Sequence, residues 1–198
     1  MDTKNVIFSG VGGQGILLAS DVLADVALRA NWDVKKSEVH GMSQRGGSVI
    51  SQVRFGEKIY SPLIARHQAD VIVAFEKLES LRYLDYLKPD GLVILNDYEI
   101  VPESIQYEKI PYPHDARSIC LQKTHRVIVE NFTKMAVQLG NVKVLNITML
   151  GTLSNALPIP EEIWLESIKA RVPARFLELN LKAFQQGKTI HPEEAVEV

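Results

Sequence analysis

The sequence predicts an α/β fold: a mostly parallel sheet with helices on both faces and a helical C-terminal part. Three observations predict it. Short apolar, β-branched runs recur at 5–8, 70–75 and 91–96. Segments with helical spacing of apolar residues separate them, and after residue 112 the pattern turns mostly helical. Strands alternating with helices favour a parallel sheet covered on both faces.

Each element has its own warrant. "NVIF" (5–8) is a continuous apolar run, the signature of a strand buried on both faces. A glycine-rich stretch, Gly10 to Gly15, follows. A helix is expected from about Gln14 to Ala30, because Ile16, Ala19, Leu23, Val26 and Ala30 fall on one face. "WDVKKSEV" (32–39) reads as a second, more exposed strand and "VISQVRF" (49–55) as a third. "DVIVAF" (70–75) and "GLVILN" (91–96) read as buried strands. Between them Leu78, Leu81, Tyr83, Leu84 and Leu87 support a helix that Pro89 and Gly91 should end. "VKVL" (142–145) is one more candidate strand. "PEEIWLESIKARV" (160–172) opens with Pro160 and two acids, a favourable helix start. "ARFLELNLKAFQQG" (174–187) reads as a last helix with Gly187 as its stop. The expected organisation is a single domain over 1–187 and a loosely ordered tail over 188–198.

Bulk properties narrow the function classes. The chain has 198 residues, 46% of them hydrophobic and 23% charged, which suits one globular domain. A formal charge of −2 gives no basic field for nucleic acid. No apolar run approaches the ~18 residues of a membrane span, and the first ten residues do not resemble a signal peptide. A cytoplasmic protein is therefore expected. The single cysteine, Cys120, excludes an internal disulfide. It also excludes a cysteine-ligated iron–sulfur cluster within the chain, which needs about four thiolates. Of the five histidines, His67, His114, His125 and His191 read as surface or hydrogen-bonded residues, and none forms a close metal-ligand spacing.

Two loops carry the functional signal. Gly10, Gly12 and Gly15 satisfy G-x-G-x-x-G between a strand and a helix. In this setting, that of a Rossmann-like sheet, glycines permit a tight turn and free N–H groups at the helix start point at an anion. Gly13 and Gln14 complete the stretch. A tight turn for close strand–helix packing explains the same glycines, and the pattern alone does not choose. No G-K-[ST] follows, so it is not a Walker loop. The second loop, within "EVHGMSQRGGSVISQVRFG" (38–56), clusters His40, Gly41, Ser43, Gln44, Arg45, Gly46 and Gly47. Both loops should leave the same edge of the sheet, where ligands of parallel α/β proteins bind. Arg45 offers a forked donor for phosphate or carboxylate, or else a plain surface salt bridge.

"GVGGQG" and the 38–56 stretch, followed by "SPLI", "AD" and "KPDGLVILN", resemble the gamma-type domain of 2-oxoacid:ferredoxin oxidoreductases. "LNITMLGTLSNALPIPEE" and "ELNLKAFQQG" extend that resemblance over most of 5–187, nearest to the members that take indolepyruvate. Residues 111–134 show no pattern that maps onto the family. The resemblance implies a subunit of an enzyme that oxidatively decarboxylates a 2-oxoacid, uses coenzyme A as co-substrate and passes electrons to ferredoxin. Thiamine diphosphate and iron–sulfur clusters serve that chemistry. This chain lacks the thiamine signature: "PDG" (89–91) is its only near match to G-D-G, and no paired asparagines follow. The resemblance therefore implies a larger catalytic subunit that carries these cofactors, with none in this chain. It assigns no catalytic residue here. Gly10, Gly12, Gly13, Gln14 and Gly15 would cradle a cofactor phosphate or meet the partner, and the 40–47 loop would touch partner or substrate. Two other readings stay open: a stand-alone NAD(P)-binding oxidoreductase with Glu38 on the ribose, and a non-enzymatic nucleotide-binding scaffold.

Overall fold

The computed structural model describes residues 2–41, 47–102 and 111–191, with only the backbone of His40. Six strands form one sheet: β1 (Lys4–Val11), β2 (Asp33–His40), β3 (Ser48–Gly56), β4 (Ala69–Ala74), β5 (Leu87–Asn96) and β6 (Val127–Glu130), in the spatial order β2-β3-β1-β4-β5-β6. β1, β4, β5 and β6 are parallel to one another, and β3 pairs antiparallel with both β1 and β2. Only β3 runs against the other strands, so the sheet is mostly parallel, as the sequence predicts. Its reversal makes β2 and β3 an antiparallel pair of consecutive strands, where a parallel arrangement would have needed a crossover.

The period-2 alternation of each strand feeds two cores. On one face Val6, Phe8, Val71, Val73, Leu92 and Ile94 meet α1 (Ile16–Arg29) and α4 (Phe132–Gln138), with α5 (Leu145–Ser154), α6 (Glu161–Arg171) and α7 (Leu177–Lys188). On the other face Ile7, Ile72, Val93 and Leu95 meet the short helices α2 (Lys77–Arg82) and α3 (Ala116–Leu121). No described helix is long and apolar enough to cross a membrane.

Several expectations need correction. "VKVL" (142–145) is not a strand but a 3-10 turn over Val142–Val144 leading into α5. Its β-branched residues mimic a strand, yet Asn141 caps the turn by accepting from Lys143 N–H at 3.0 Å, and α5 behind it is buried all round. The helix after β4 ends at Arg82, and a 3-10 turn over Leu84–Tyr86 leads into β5. Pro89 and Gly91 stop no helix: they belong to β5, where the register against β4 shifts and Asp90 takes φ 60°. Residues 111–134, which carry no readable pattern, hold α3, β6 and the start of α4. These elements are too short, four residues for β6, to show a period.

Gly187 is likewise not a stop, since α7 continues to Lys188. It allows α7 to press against α5. A Cβ on Gly187 would lie 1.8 Å from Thr148 O, and one on Gly151 would lie 2.1 Å from Phe184 O. Thr152 Oγ1 donates to Gly187 O at 2.9 Å across the same contact. Asn155 Nδ2 then holds the chain beyond the helix through Lys188 O and Ile190 O, both at 2.9 Å. Gly187→Ala is expected to force the helices apart and cost about 1–3 kcal/mol. A thermal melt reads this as a fall of several degrees, and an unchanged melt contradicts the packing role.

Candidate functional site

The glycine loop connects β1 to α1, and its residues have different tasks. Gly10 lies in the strand end, where a Cβ would come within 2.8 Å of both Gln14 Oε1 and Phe75 Cβ. Close packing requires it. Gly12 N–H donates to Gly47 O at 2.9 Å, joining the two loops at their bases. Gly13 and Gly15 take the left-handed conformation, with φ 102° and 83°. Gly13 has open space where a side chain would be, whereas a Cβ on Gly15 would lie 2.7 Å from Asn146 Nδ2. Gln14 turns back on the loop. Its Oε1 accepts from Val11 N–H at 2.7 Å and its Nε2 donates to Phe75 O at 2.9 Å. It fastens the turn and has both ends of its amide occupied.

Gly15 caps α1 without any side-chain acceptor. Among the described residues no acceptor faces the N–H groups of Gly13 or Gly15, and the first helical N–H with a backbone partner is that of Ala19, on Gly15 O at 3.1 Å. Unpaired donors at the positive end of a 14-residue helix form a favourable place for an anion. They open into a cleft of about 540 Å³. Leu18, Tyr98, Ile100, Val142 and Leu145 give it apolar walls, and Thr133 and Lys143 add polar groups. The arrangement suits a ligand with an anionic group at the loop and an apolar body along the walls. Among the described residues it presents no nucleophile paired with a base, and no bond-breaking role is assigned to it.

The second loop starts abreast of the first. His40 pairs with Val49, and Val49 with Gly10, so β2 and β1 end at the same edge. Gly41 N–H closes the hairpin on Ser48 O at 2.9 Å. Ser48 Oγ donates to the buried Glu79 carboxylate at 2.5 Å, and Arg82 Nε supports Glu79 from the other side at 2.8 Å. Burial raises the Glu79 pKa in spite of these partners. The side chain of His40 and all of Ser43, Gln44, Arg45 and Gly46 lie outside the described residues. Of this loop's residues the structure therefore brings the glycine-loop base together with Gly47.

Glu38 is not placed for a ribose. β3 intervenes between β2 and β1, so Glu38 stands two strand spacings, about 10 Å, from β1. It forms an ion pair with Lys36 on the outer strand. Sequence reading missed the walls of the cleft, Tyr98, Ile100, Thr133 and Lys143, and it missed Asn146 behind Gly15. One signal was available: every parallel strand ends at this edge, so the residues just after 74, 96 and 130 deserved the same scrutiny as those after 11.

Comparison with known proteins agrees with this architecture. The family model described as pyruvate ferredoxin/flavodoxin oxidoreductase matches residues 5–190. Indolepyruvate oxidoreductase subunit IorB of Thermococcus kodakarensis is 39% identical over 198 residues, covering 94% of this chain and 95% of that protein. The subunit of the same name from Archaeoglobus fulgidus is 40% identical over 187 residues, covering 92% of each. Among solved structures, the gamma subunit of a keto/oxoacid ferredoxin oxidoreductase from Geobacter sulfurreducens superposes with TM-score 0.68 at 26% identity, over 93% of this chain and 95% of that one. The 2-oxoglutarate:ferredoxin oxidoreductase of Magnetococcus marinus shares the fold, with TM-score 0.72 at 22% identity, and this fold fills 32% of that longer chain. A match that runs from the first strand to the end of α7, with relatives of nearly equal length, leaves one conclusion: the chain belongs to the pyruvate ferredoxin/flavodoxin oxidoreductase family.

Proposed function

We propose that this chain is the small subunit of a 2-oxoacid:ferredoxin oxidoreductase that acts on indolepyruvate or a similar aryl pyruvate. The observation that carries the reading is the 39–40% identity to indolepyruvate oxidoreductase subunits over more than nine-tenths of both lengths. The enzyme forms an acyl-coenzyme A and passes electrons to ferredoxin. Thiamine diphosphate and iron–sulfur clusters supply the decarboxylation and electron-transfer chemistry in a larger subunit. The cysteine chemistry of this chain does not fit the clusters. Cys120 is its one cysteine, is buried beside Ser80, and burial pushes its thiol up to about 11. A thiol so far from its thiolate is a poor metal ligand.

The chain's own part is to present a shaped edge to the complex. In this reading Gly13 and Gly15 offer backbone donors to a phosphate of coenzyme A, and Gly10, Gly12 and Gln14 hold the loop in shape, Gly12 through its bond to Gly47 O. The 40–47 loop meets the partner or the substrate, with His40 and Arg45 as its polar contacts. The solved Magnetococcus protein is described with coenzyme A bound, which makes this co-substrate the first ligand to test. A nicotinamide dinucleotide is disfavoured by the position of Glu38 behind β3.

Co-expressed with the larger subunit, the chain is expected to co-purify with it in fixed proportion. Arg45→Ala removes one charge-assisted donor and should weaken binding of the partner or of coenzyme A about tenfold to a hundredfold. Titration of the purified complex reads the effect. Unchanged assembly with unchanged kinetics would mean that the second loop has no binding role.

A further inference from the structure

The residues that follow β4 hold several loops at once. Phe75 O accepts from Gln14 Nε2 and from Asn96 Nδ2, both at 2.9 Å. Asn96 in turn holds Thr133, whose Oγ1 accepts from Nδ2 at 2.9 Å and whose N–H donates to Oδ1 at 3.1 Å. The next side chain, Glu76, is fully buried. Its Oε2 accepts from Glu79 N–H at 3.0 Å. Its Oε1 accepts from Ile100 N–H at 3.1 Å and from the Tyr112 hydroxyl. Burial and the Glu76 carboxylate push the Tyr112 hydroxyl well above its ordinary pKa, so it remains a donor.

A buried carboxylate is costly unless its oxygens are satisfied. Here the donors come from three separate stretches, α2, the 98–100 segment and residue 112. Lys77 grips the same segment from outside. Its N–H donates to Tyr98 O at 3.1 Å, and its Nζ pairs with Asp97 at 2.8 Å and Glu99 at 2.9 Å. The outer pairs are partly exposed and hold less firmly than a buried acceptor. Tyr98 and Ile100 are two walls of the cleft over the glycine loop.

We propose that Glu76 is a positioning residue of this cleft: its carboxylate fixes the 98–100 wall opposite the glycine loop and so sets the affinity of a surface it does not touch. The proposal rests on the reading of the cleft as the coenzyme A face. In Glu76→Gln, Ile100 N–H and the Tyr112 hydroxyl are left to share a neutral and weaker amide oxygen, and the new amide NH2 faces the Glu79 N–H donor in place of an acceptor. A wall displaced by about 1 Å loses complementarity to its ligand while the chemistry elsewhere is untouched.

The test uses the complex with the larger subunit in three forms: wild type, Glu76→Gln and Tyr112→Phe. Hydrogen exchange is measured with and without coenzyme A, beside steady-state kinetics. In the wild type, coenzyme A should slow exchange at Gly12–Gly15. Tyr112→Phe should raise KM for coenzyme A about threefold to tenfold with kcat nearly unchanged, and Glu76→Gln should raise it further. Both variants should exchange faster at Tyr98–Val101. If Glu76→Gln does not fold, Tyr112→Phe decides alone, since it keeps the carboxylate and two of its donors. Protection of the glycine loop in the wild type, combined with an unchanged KM or a loss confined to kcat in the variants, overturns the positioning role alone. No protection in the wild type overturns the coenzyme A reading, and this proposal with it.

Discussion

Gly15→Val is expected to destabilise the chain by about 2–5 kcal/mol, because two costs coincide there. Gly15 has φ 83°, a conformation in which a β-branched side chain is strained. The new Cβ would also meet Asn146 Nδ2 at 2.7 Å, and that amide donates to Gly15 O at 3.2 Å. Valine therefore displaces the residue that ties α5 to the start of α1. The first-turn N–H groups lose their aim at the same time, so binding in the cleft should fail with stability. Gly13→Ala separates the two costs. Its φ of 102° is strained for alanine, but the added methyl meets nothing within 4 Å. It should cost only about 1–2 kcal/mol while placing a methyl group on the loop surface. Chemical melts of the two variants beside the wild type check the ordering. A Gly15→Val protein as stable as the wild type contradicts the geometry of the loop.

This ordering also shows how far the glycine pattern could be read. G-x-G-x-x-G marks Gly10, Gly12 and Gly15 as equivalent, yet their reasons differ. Gly10 avoids Phe75, which is 65 residues away in sequence, and no local pattern reveals that contact. Gly12 contributes an N–H to the neighbouring loop. The left-handed positions are Gly13 and Gly15, so strain belongs to them and not to Gly12. The buried strands were legible because their apolar runs are continuous, and α1 because its spacing is regular. The reversal of β3 was not, since hydrophobic pattern carries no strand direction. "VKVL" misled because three β-branched or apolar residues around one lysine fit a strand as well as a turn leading into a buried helix. The cleft walls escaped notice because Tyr98 and Ile100 are ordinary residues made useful by their place after β5, and Glu76 because its partners lie 3, 24 and 36 residues away.

The second large effect concerns turnover. In the proposed reading decarboxylation and electron transfer belong to the larger subunit, since this chain has one cysteine, Cys120, and no thiamine signature in its sequence. Among the described residues its cleft offers donors and walls but no paired nucleophile and base. Activity should therefore be a property of the assembly, all or none with respect to the larger subunit. The decisive measurement is reduction of a viologen dye by indolepyruvate and coenzyme A, made on this chain alone, on the larger subunit alone and on the two co-expressed. The account predicts no reduction by this chain alone and full turnover by the assembled pair. Turnover by this chain alone, or no turnover by the assembled pair, would contradict it.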